Sequence, residues 1–231
     1  MTDSLHTDLH EVLGHASGQL LPEVTPEMLK NYHSAVEEAR ADLFALYYIF
    51  DEKMVELGLL PNQDAAKAAY EANIQNGLMT QLKRIEPGKS IEESHMRSRA
   101  LVSYWVYEKG KPENVISKVV KEGKTYFVIN DYQKLRHLHG ELLTDVQRIT
   151  SEGDYEAARD LVETYGVRVD PELHKEVLER YSKLNIAPYG GFMNPVLTPV
   201  MENGKIVDVT ISYPTDYVKQ MLRYGKDYSF L

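Results

Sequence analysis

The stretch TPEMLKNYHSAVEEARADLFALYYIFDEKMVELGLLP, Thr25 to Pro61, decides the fold that this sequence predicts. Thr25 is a suitable N-cap and Pro26 a suitable first helical residue. Gly58, followed by Pro61, marks the expected end of the helix. The apolar run LFALYYIF inside the stretch indicates that this helix is largely buried. A long buried helix near the start of the chain favours a mainly α domain.

The same helix carries carboxylates beside its apolar run. Glu38 and Asp42 lie four positions apart and so share one face, and Glu37 precedes them. Ala41 lies beside them, a small residue where a neighbouring element must approach closely. A buried carboxylate needs a partner, and a metal ion is an effective one. The alternative interpretation is a solvated or salt-bridged face, with Arg40 close in sequence.

A histidine motif lies on the N-terminal side of this helix. The stretch LHEVLGHASG, Leu9 to Gly18, places His15 five positions after His10. Five positions of regular α-helix turn by about 140°, so the two imidazoles would point apart. They can meet at one metal ion if the helix has a one-residue π-bulge or unwinds at its end. Gly14 supplies a permissive backbone there. A chance grouping in a chain with eight histidines is the alternative.

Together the two segments offer two histidines and a glutamate from neighbouring helices. Three protein ligands plus an open position are typical of a catalytic zinc site, whereas a structural site closes all four positions. The chain has no cysteine, so neither disulfides nor thiolate ligands are available. A nitrogen and oxygen donor set suits zinc.

The composition excludes several classes of function. The 231 residues are 43% hydrophobic and 26% charged, which is ordinary for a globular protein. The net charge of −9 makes a nucleic-acid partner unexpected, and no basic tract suits an anionic membrane. No apolar run approaches the roughly 20 residues of a membrane span, and the first residues do not resemble a signal peptide. A cytoplasmic location is the default expectation.

The rest of the chain predicts more helices and two β-hairpins. Helices are expected over about 64–85, 90–110, 131–150, 154–165, 171–184 and 215–224, the second of them starting with a capping box of Ser90 and Glu93. β-rich runs surround Glu122-Gly123 and Asn203-Gly204, and Asn-Gly is the strongest hairpin dipeptide. YGGFMNP is a predicted loop. The predicted class is mainly α with two small hairpins, α+β by strict count, in one domain spanning residues 1–231.

These residues resemble a known family. HEVLGH followed by EEARAD is similar to the H-E-x-x-G-H and E-E-x-R-A-[DE] motifs of the dipeptidyl peptidase III zinc exopeptidases, and the short gap between them is similar to that of the bacterial members. SHMRSRA, with His95 and Arg99, resembles the family's histidine–methionine segment, and SEGDYEAARDLVETYGV its later helical region. The likeness extends over most of the chain.

The resemblance implies a role for each site residue. His10, His15 and Glu38 would be the ligands of one zinc ion, and Glu11 would be the general base. Glu37 and Asp42 would orient the imidazoles. His95 would assist the transition state, and Arg99 would support the substrate. The cofactor is therefore expected to be Zn²⁺, one per chain, and the partner a peptide substrate.

The sequence also departs from the family. Ala39 stands where many members have a cysteine that is not a ligand. Family members are several hundred residues longer, and a β-barrel-containing lobe precedes their zinc helix. This chain resembles the C-terminal, metal-bearing catalytic lobe alone, so the missing N-terminal lobe would complete the substrate cleft.

Three functional hypotheses follow. The first is a zinc metallopeptidase that releases dipeptides from peptide N-termini by means of zinc-activated water. The second is a zinc-binding domain with little or no turnover without its partner lobe. The third, a dimetal helix bundle, needs two E-x-x-H motifs, and Glu92 with His95 supplies only one.

Overall fold

The computed structural model describes residues 2–184, 186 and 193–229, which fall into two compact units, Met1–Asn185 and Ile186–Leu231. The grouping of residues 1–231 as one domain stays a prediction. The predicted loop YGGFMNP lies partly outside the described residues, because 189–192 are not among them.

The first unit is mainly helical, as the sequence predicts. Its α-helices are α1 (Thr2–Leu9), α2 (His33–Ile49), α3 (Glu52–Glu56), α4 (Gln63–Leu78), α5 (Ser94–Gly110), α6 (Tyr132–Glu152), α7 (Tyr155–Leu161) and α8 (Pro171–Ser182). Short 3₁₀ segments cover Pro26–Tyr32, Thr80–Arg84 and Lys111–Glu113, and π-helical turns cover His10–His15 and Val162–Gly166. Among the described residues, no helix is both long and apolar enough to cross a bilayer.

Helix α2 lies at the centre of this unit. Its apolar residues Val36, Leu43 and Leu46 are fully buried. It packs against α1, the π-helical turn His10–His15, α5 and α6. Burial of each such aliphatic side chain contributes about 1.5–3 kcal/mol to folding. The helix that carries the carboxylates is therefore held on several sides, and its side chains have fixed positions.

The predicted helix from Thr25 to Gly58 is in fact three segments. Lys30, at φ 51° and ψ −129°, interrupts the 3₁₀ segment, so α2 starts only at His33. At the other end Asp51 caps α3, because its carboxylate accepts a hydrogen bond from Lys53 N at 2.9 Å. The N-cap of α3 thus lies directly after the apolar run, at a position that the prediction places inside one continuous helix.

The predicted capping box at the start of α5 is wrong. The N-cap is Glu93, whose carboxylate accepts hydrogen bonds from the backbone N–H groups of His95 (3.0 Å) and Met96 (2.9 Å). Since α5 begins at Ser94, Ser90 lies outside the helix. This shift places His95 in the first turn of α5.

Both predicted hairpins are present. In the first unit β1 (Ile116–Lys121) pairs with β2 (Lys124–Ile129), and the turn residues Glu122 and Gly123 have positive φ values of 52° and 70°. Hydrogen bonds link this hairpin to α8. The N–H and Oγ1 of Thr125, in β2, donate to the carboxylate of Glu176, in α8, at 2.7 and 2.6 Å.

The second unit has a hairpin and one helix. Strand β3 (Val196–Glu202) pairs with β4 (Lys205–Ser212) around Asn203-Gly204, which also adopt positive φ. Helix α9 (Tyr217–Tyr228) follows, with the Asp216 side chain accepting from Lys219 N. The amide of Gln220 makes two hydrogen bonds with the backbone of Asn194, at 2.9 and 2.7 Å.

Candidate metal centre

The histidine motif is a π-helical turn. Residues His10–His15 continue directly from α1 but wind as a π-helix, which places more residues in each turn than an α-helix does. His15 therefore returns to the side of His10, and the two rings lie 4.7 Å apart between centroids, edge to face. The predicted local irregularity between the two histidines is confirmed.

Three side chains converge at this turn. His10, His15 and Glu38 each offer a ligand atom, and these atoms all lie within 4.8 Å of one another. Glu38 Oε2 is 3.3 Å from His10 Nε2 and 4.0 Å from His15 Nε2. Two ligands of one tetrahedral zinc ion, each bonded at about 2.0–2.1 Å, stand about 3.3 Å apart. The separations suit one small cation.

The chemistry of Glu38 also fits a cation. Its Oε2 is buried, yet it accepts no hydrogen bond from any residue that the structure describes. A buried carboxylate oxygen without a donor is strongly destabilising. An ion held by this oxygen and the two imidazoles removes that cost, so the residues present fit a zinc ion.

Asp42 orients the first imidazole. Its Oδ1 is 2.9 Å from His10 Nδ1, and because a carboxylate only accepts, Nδ1 carries the proton and Nε2 is left for a metal. The hydrogen bond with Asp42 raises the pKa of His10. Burial is the largest single influence on Asp42 and disfavours its carboxylate. The hydrogen bond with His10 and the charges of His6, His10 and Arg99 together exceed it and lower the pKa of Asp42.

Glu37 orients the second imidazole in the same way. Its Oε1 accepts a hydrogen bond from His15 Nδ1 at 2.9 Å. Arg40 also binds this carboxylate, so the predicted alternative of a salt bridge is present beside the metal cluster and does not replace it. Burial opposes ionisation of Glu37, but the hydrogen bonds from Arg40 and His15 prevail, and the pKa of Glu37 lies below its ordinary value.

A pocket of about 300 Å³ adjoins the cluster. Glu11, His95 and Arg99, the residues predicted for catalysis and substrate binding, all line it together with His10. Glu11 is exposed, whereas Arg99 is half-buried. The tertiary structure thus brings the first turn of α5 to the same opening as the π-helical turn.

His95 faces the cluster from α5. Its Nε2 lies 3.5 Å from Glu38 Oε2, and its Nδ1 lies 2.7 Å from Glu93 Oε1. Since the Glu93 carboxylate only accepts, Nδ1 carries a proton.

The sequence alone did not identify two polar residues of the site, Ser98 and His6. Ser98 Oγ donates to Asp42 Oδ2 at 3.3 Å, a contact that only packing of α5 on α2 creates. His6 lies one turn before His10; its buried Nε2 has no hydrogen-bond partner among the described residues and lies 4.0 Å from Asp42 Oδ1. Burial lowers the pKa of His6. His6 lies four positions before His10 and so shares its helix face, which is the sequence signal that indicates His6.

Comparisons with known proteins show which proteins share this fold. Solved structures with a similar fold include dipeptidyl peptidase III from Caldithrix abyssi, with a TM-score of 0.57 and 23% identity over 77% of this chain. Dipeptidyl-peptidase III from Corallococcus sp. strain EGB is similar with a TM-score of 0.53 and 21% identity over 78% of this chain. The chain spans about a third of the length of these structures, 32% and 31% respectively. None of the curated proteins matches it.

The chain also matches a known protein family. The family described as peptidase family M49 matches residues 23–180, which include α2 with Glu37 and Glu38 and α5 with His95. This segment is more than half of the 231 residues. The chain therefore belongs to peptidase family M49.

Proposed function

We propose that this chain is the metal-bearing catalytic domain of a zinc dipeptidyl peptidase, which releases dipeptides from the N-termini of peptides. The observation that carries the proposal is the convergence of His10 Nε2, His15 Nε2 and Glu38 Oε2, with each Nδ1 held by a carboxylate. Glu38 Oε2 has no hydrogen-bond donor among the residues that the structure describes. Family M49 membership supports peptide hydrolysis as the reaction class. The likeness of the fold to two dipeptidyl peptidase III structures supports dipeptide release.

Under this proposal His10, His15 and Glu38 hold the zinc ion. When bound, zinc supplies Lewis acidity and lowers the pKa of coordinated water towards about 7. The exposed Glu11 carboxylate accepts a proton from the attacking water and passes it to the leaving amine. His95 lies at the same opening and stabilises the oxyanion that develops on the substrate carbonyl. Arg99 positions the substrate from the wall of the same pocket.

The second candidate function is a zinc-binding domain that holds the same metal ion but has little peptidase activity by itself. The chain spans only about a third of the solved structures that it resembles, 32% and 31%. If the substrate cleft needs a further lobe, residues 1–231 bind zinc but hydrolyse peptides poorly. Adding that lobe would restore hydrolysis.

Metal content tests zinc binding, which both candidate functions require. Purified wild-type protein should hold one zinc per chain, and Glu38→Ala should lose it. Glu11→Gln is the matched control, because it removes the proposed base and keeps all three ligands. Equal zinc in the wild type and Glu38→Ala would reject the proposed third ligand, and two metal ions per chain would revive the dimetal bundle.

Turnover of a dipeptidyl-naphthylamide separates the two candidates. Hydrolysis by residues 1–231 that disappears in Glu11→Gln supports a self-sufficient peptidase. Zinc binding without hydrolysis supports the second candidate.

A further inference from the structure

Arg40 is the most deeply buried charged side chain near the cluster, with 3% of its surface exposed. Its Nε donates to Glu37 Oε2 at 2.9 Å and its Nη2 to Glu37 Oε1 at 2.7 Å. This two-pronged contact fixes the plane of the carboxylate as well as its position, which a single donor does not. The same Oε1 accepts the proton of His15 Nδ1. The orientation of the imidazole therefore depends on the guanidinium.

Arg40 also contacts the backbone turn that follows His15. Its Nη1 lies 3.3 Å from Ser17 Oγ, and Ser17 Oγ donates to Gly14 O at 3.0 Å. Gly18 lies against the same group, since a Cβ at that position would lie 3.2 Å from Arg40 Nη1. The guanidinium thus contacts the residues directly after the π-helical turn, and Ser17 links that contact to Gly14 inside the turn.

A third contact joins Arg40 to α6. Its Nη1 lies 3.4 Å from Gln147 Oε1, and Gln147 Nε2 donates to Ser151 Oγ. Ser151 Oγ in turn donates to Gln19 O at 2.7 Å. One side chain of α2 therefore joins the turn that carries His15 to two helices at once.

From these contacts we infer that Arg40 is a positioning residue for the metal centre, acting through Glu37 on the His15 ring and through Ser17 on the turn that carries it. The inference rests on the proposed zinc site. Lysine is a poor substitute, because its single ammonium neither matches the carboxylate plane nor reaches Ser17 at the same time. Residues that orient a metal-binding imidazole typically contribute a factor of about 10–100 to metal affinity.

The test compares Arg40→Lys with wild type in the 231-residue chain. Zinc affinity is measured by chelator competition, at a temperature where circular dichroism shows both proteins fully folded. We expect affinity to fall about 10–100-fold. Arg136→Lys is the matched control, because Arg136 also donates through Nε and Nη2, to Tyr47 O and Asp51 Oδ2, away from the cluster. Affinity of Arg40→Lys within twofold of wild type would overturn the inference.

A second variant covers the case in which Arg40→Lys does not fold. Ser17→Ala removes the Nη1 contact and leaves the Arg40–Glu37 pair in place. It should weaken zinc binding about two- to tenfold. Unchanged affinity in Ser17→Ala would contradict the route through the turn.

A metal-free measurement separates this inference from the zinc proposal. Nitrogen-15 NMR of the His15 ring reports which nitrogen carries the proton. Wild type should show the proton on Nδ1, and Arg40→Lys should show a mixture of both tautomers. The same tautomer in both proteins would refute the action through Glu37, whatever the protein does with zinc. Absence of zinc from wild type would instead defeat the proposed function, and the tautomer measurement would still test the action of Arg40 on the His15 ring.

Discussion

Gly14 lies against Ala41: a Cβ built on Gly14 would be 2.6 Å from the Cα and 2.7 Å from the Cβ of Ala41. The π-helical turn and α2 therefore touch through their backbones at this point. Neither residue has room for a larger side chain, and the contact sets how far His10 and His15 stand from Glu38 on the adjacent helix.

Gly14→Ala should disrupt both the packing and the metal site. The added methyl would push the π-helical turn away from α2 at a cost of about 1–3 kcal/mol, and zinc binding should fall with it. Urea denaturation and zinc stoichiometry measure the two effects. Replacing Ala41 by glycine in the Gly14→Ala variant should restore neither stability nor zinc binding. The atom nearest to the added methyl is the Cα of residue 41, which glycine keeps. Gly225→Ala is the control, since no atom of the described residues lies within 4 Å of a Cβ there. Rescue by Ala41→Gly would contradict the backbone contact.

Asp42→Asn should lower zinc affinity about 10–100-fold, because the neutral amide polarises the His10 ring less than the carboxylate does. Chelator competition checks the loss. Asp64→Asn, at an exposed residue of α4, serves as the matched control and should change nothing. Equal affinities for Asp42→Asn and wild type would mean that the 2.9 Å contact between Asp42 and His10 does not tune the site.

Zinc should stabilise the folded chain by mass action. At a free concentration 1,000 times the dissociation constant, the free energy of unfolding should rise by about 4 kcal/mol. Thermal denaturation with zinc and after chelation measures the shift. Magnesium should give none, since it prefers oxygen ligands and the site offers two imidazoles. An equal shift with magnesium would indicate general binding to the acidic surface.

His139 should make the fold sensitive to acid. It is fully buried on α6 against Tyr70, and burial lowers its pKa from 6.5 to about 3. Between these two values the unfolded chain binds a proton that the folded chain does not, so stability falls as the pH falls, by about 1.4 kcal/mol per pH unit. Above pH 6.5 both states are neutral and His139 gives no pH dependence.

His139→Phe keeps a ring in contact with Tyr70 and removes the proton uptake of His139 on unfolding. The stability of this variant should therefore fall less steeply than that of wild type below pH 6.5. Urea denaturation at several pH values gives the comparison. His137→Gln, at an exposed residue of the same helix, is the control. Parallel curves for His139→Phe and wild type would show that the histidine titrates normally in the fold.

Much of the fold could be predicted because its signals are local. Asp131 and Asp170 cap α6 and α8 as their sequence positions indicate, and Asn203-Gly204 forms its turn. The errors are of two kinds. The long helix from Thr25 to Gly58 hides a kink at Lys30 that no local pattern marks. The capping box at Ser90 was wrong because Glu93 caps α5 itself.

By itself the sequence determined which atoms are available for the metal: His10, His15 and Glu38, on two consecutive segments, with no cysteine to compete. For both histidines to meet at one ion, the sequence also predicted a departure from regular helix between them, since the angular spacing of side chains is a local property of the backbone. Packing alone decided the rest. The close contact of Gly14 with Ala41 and the position of His95 opposite Glu38 join residues far apart in sequence, and such contacts follow from how helices bury their apolar faces.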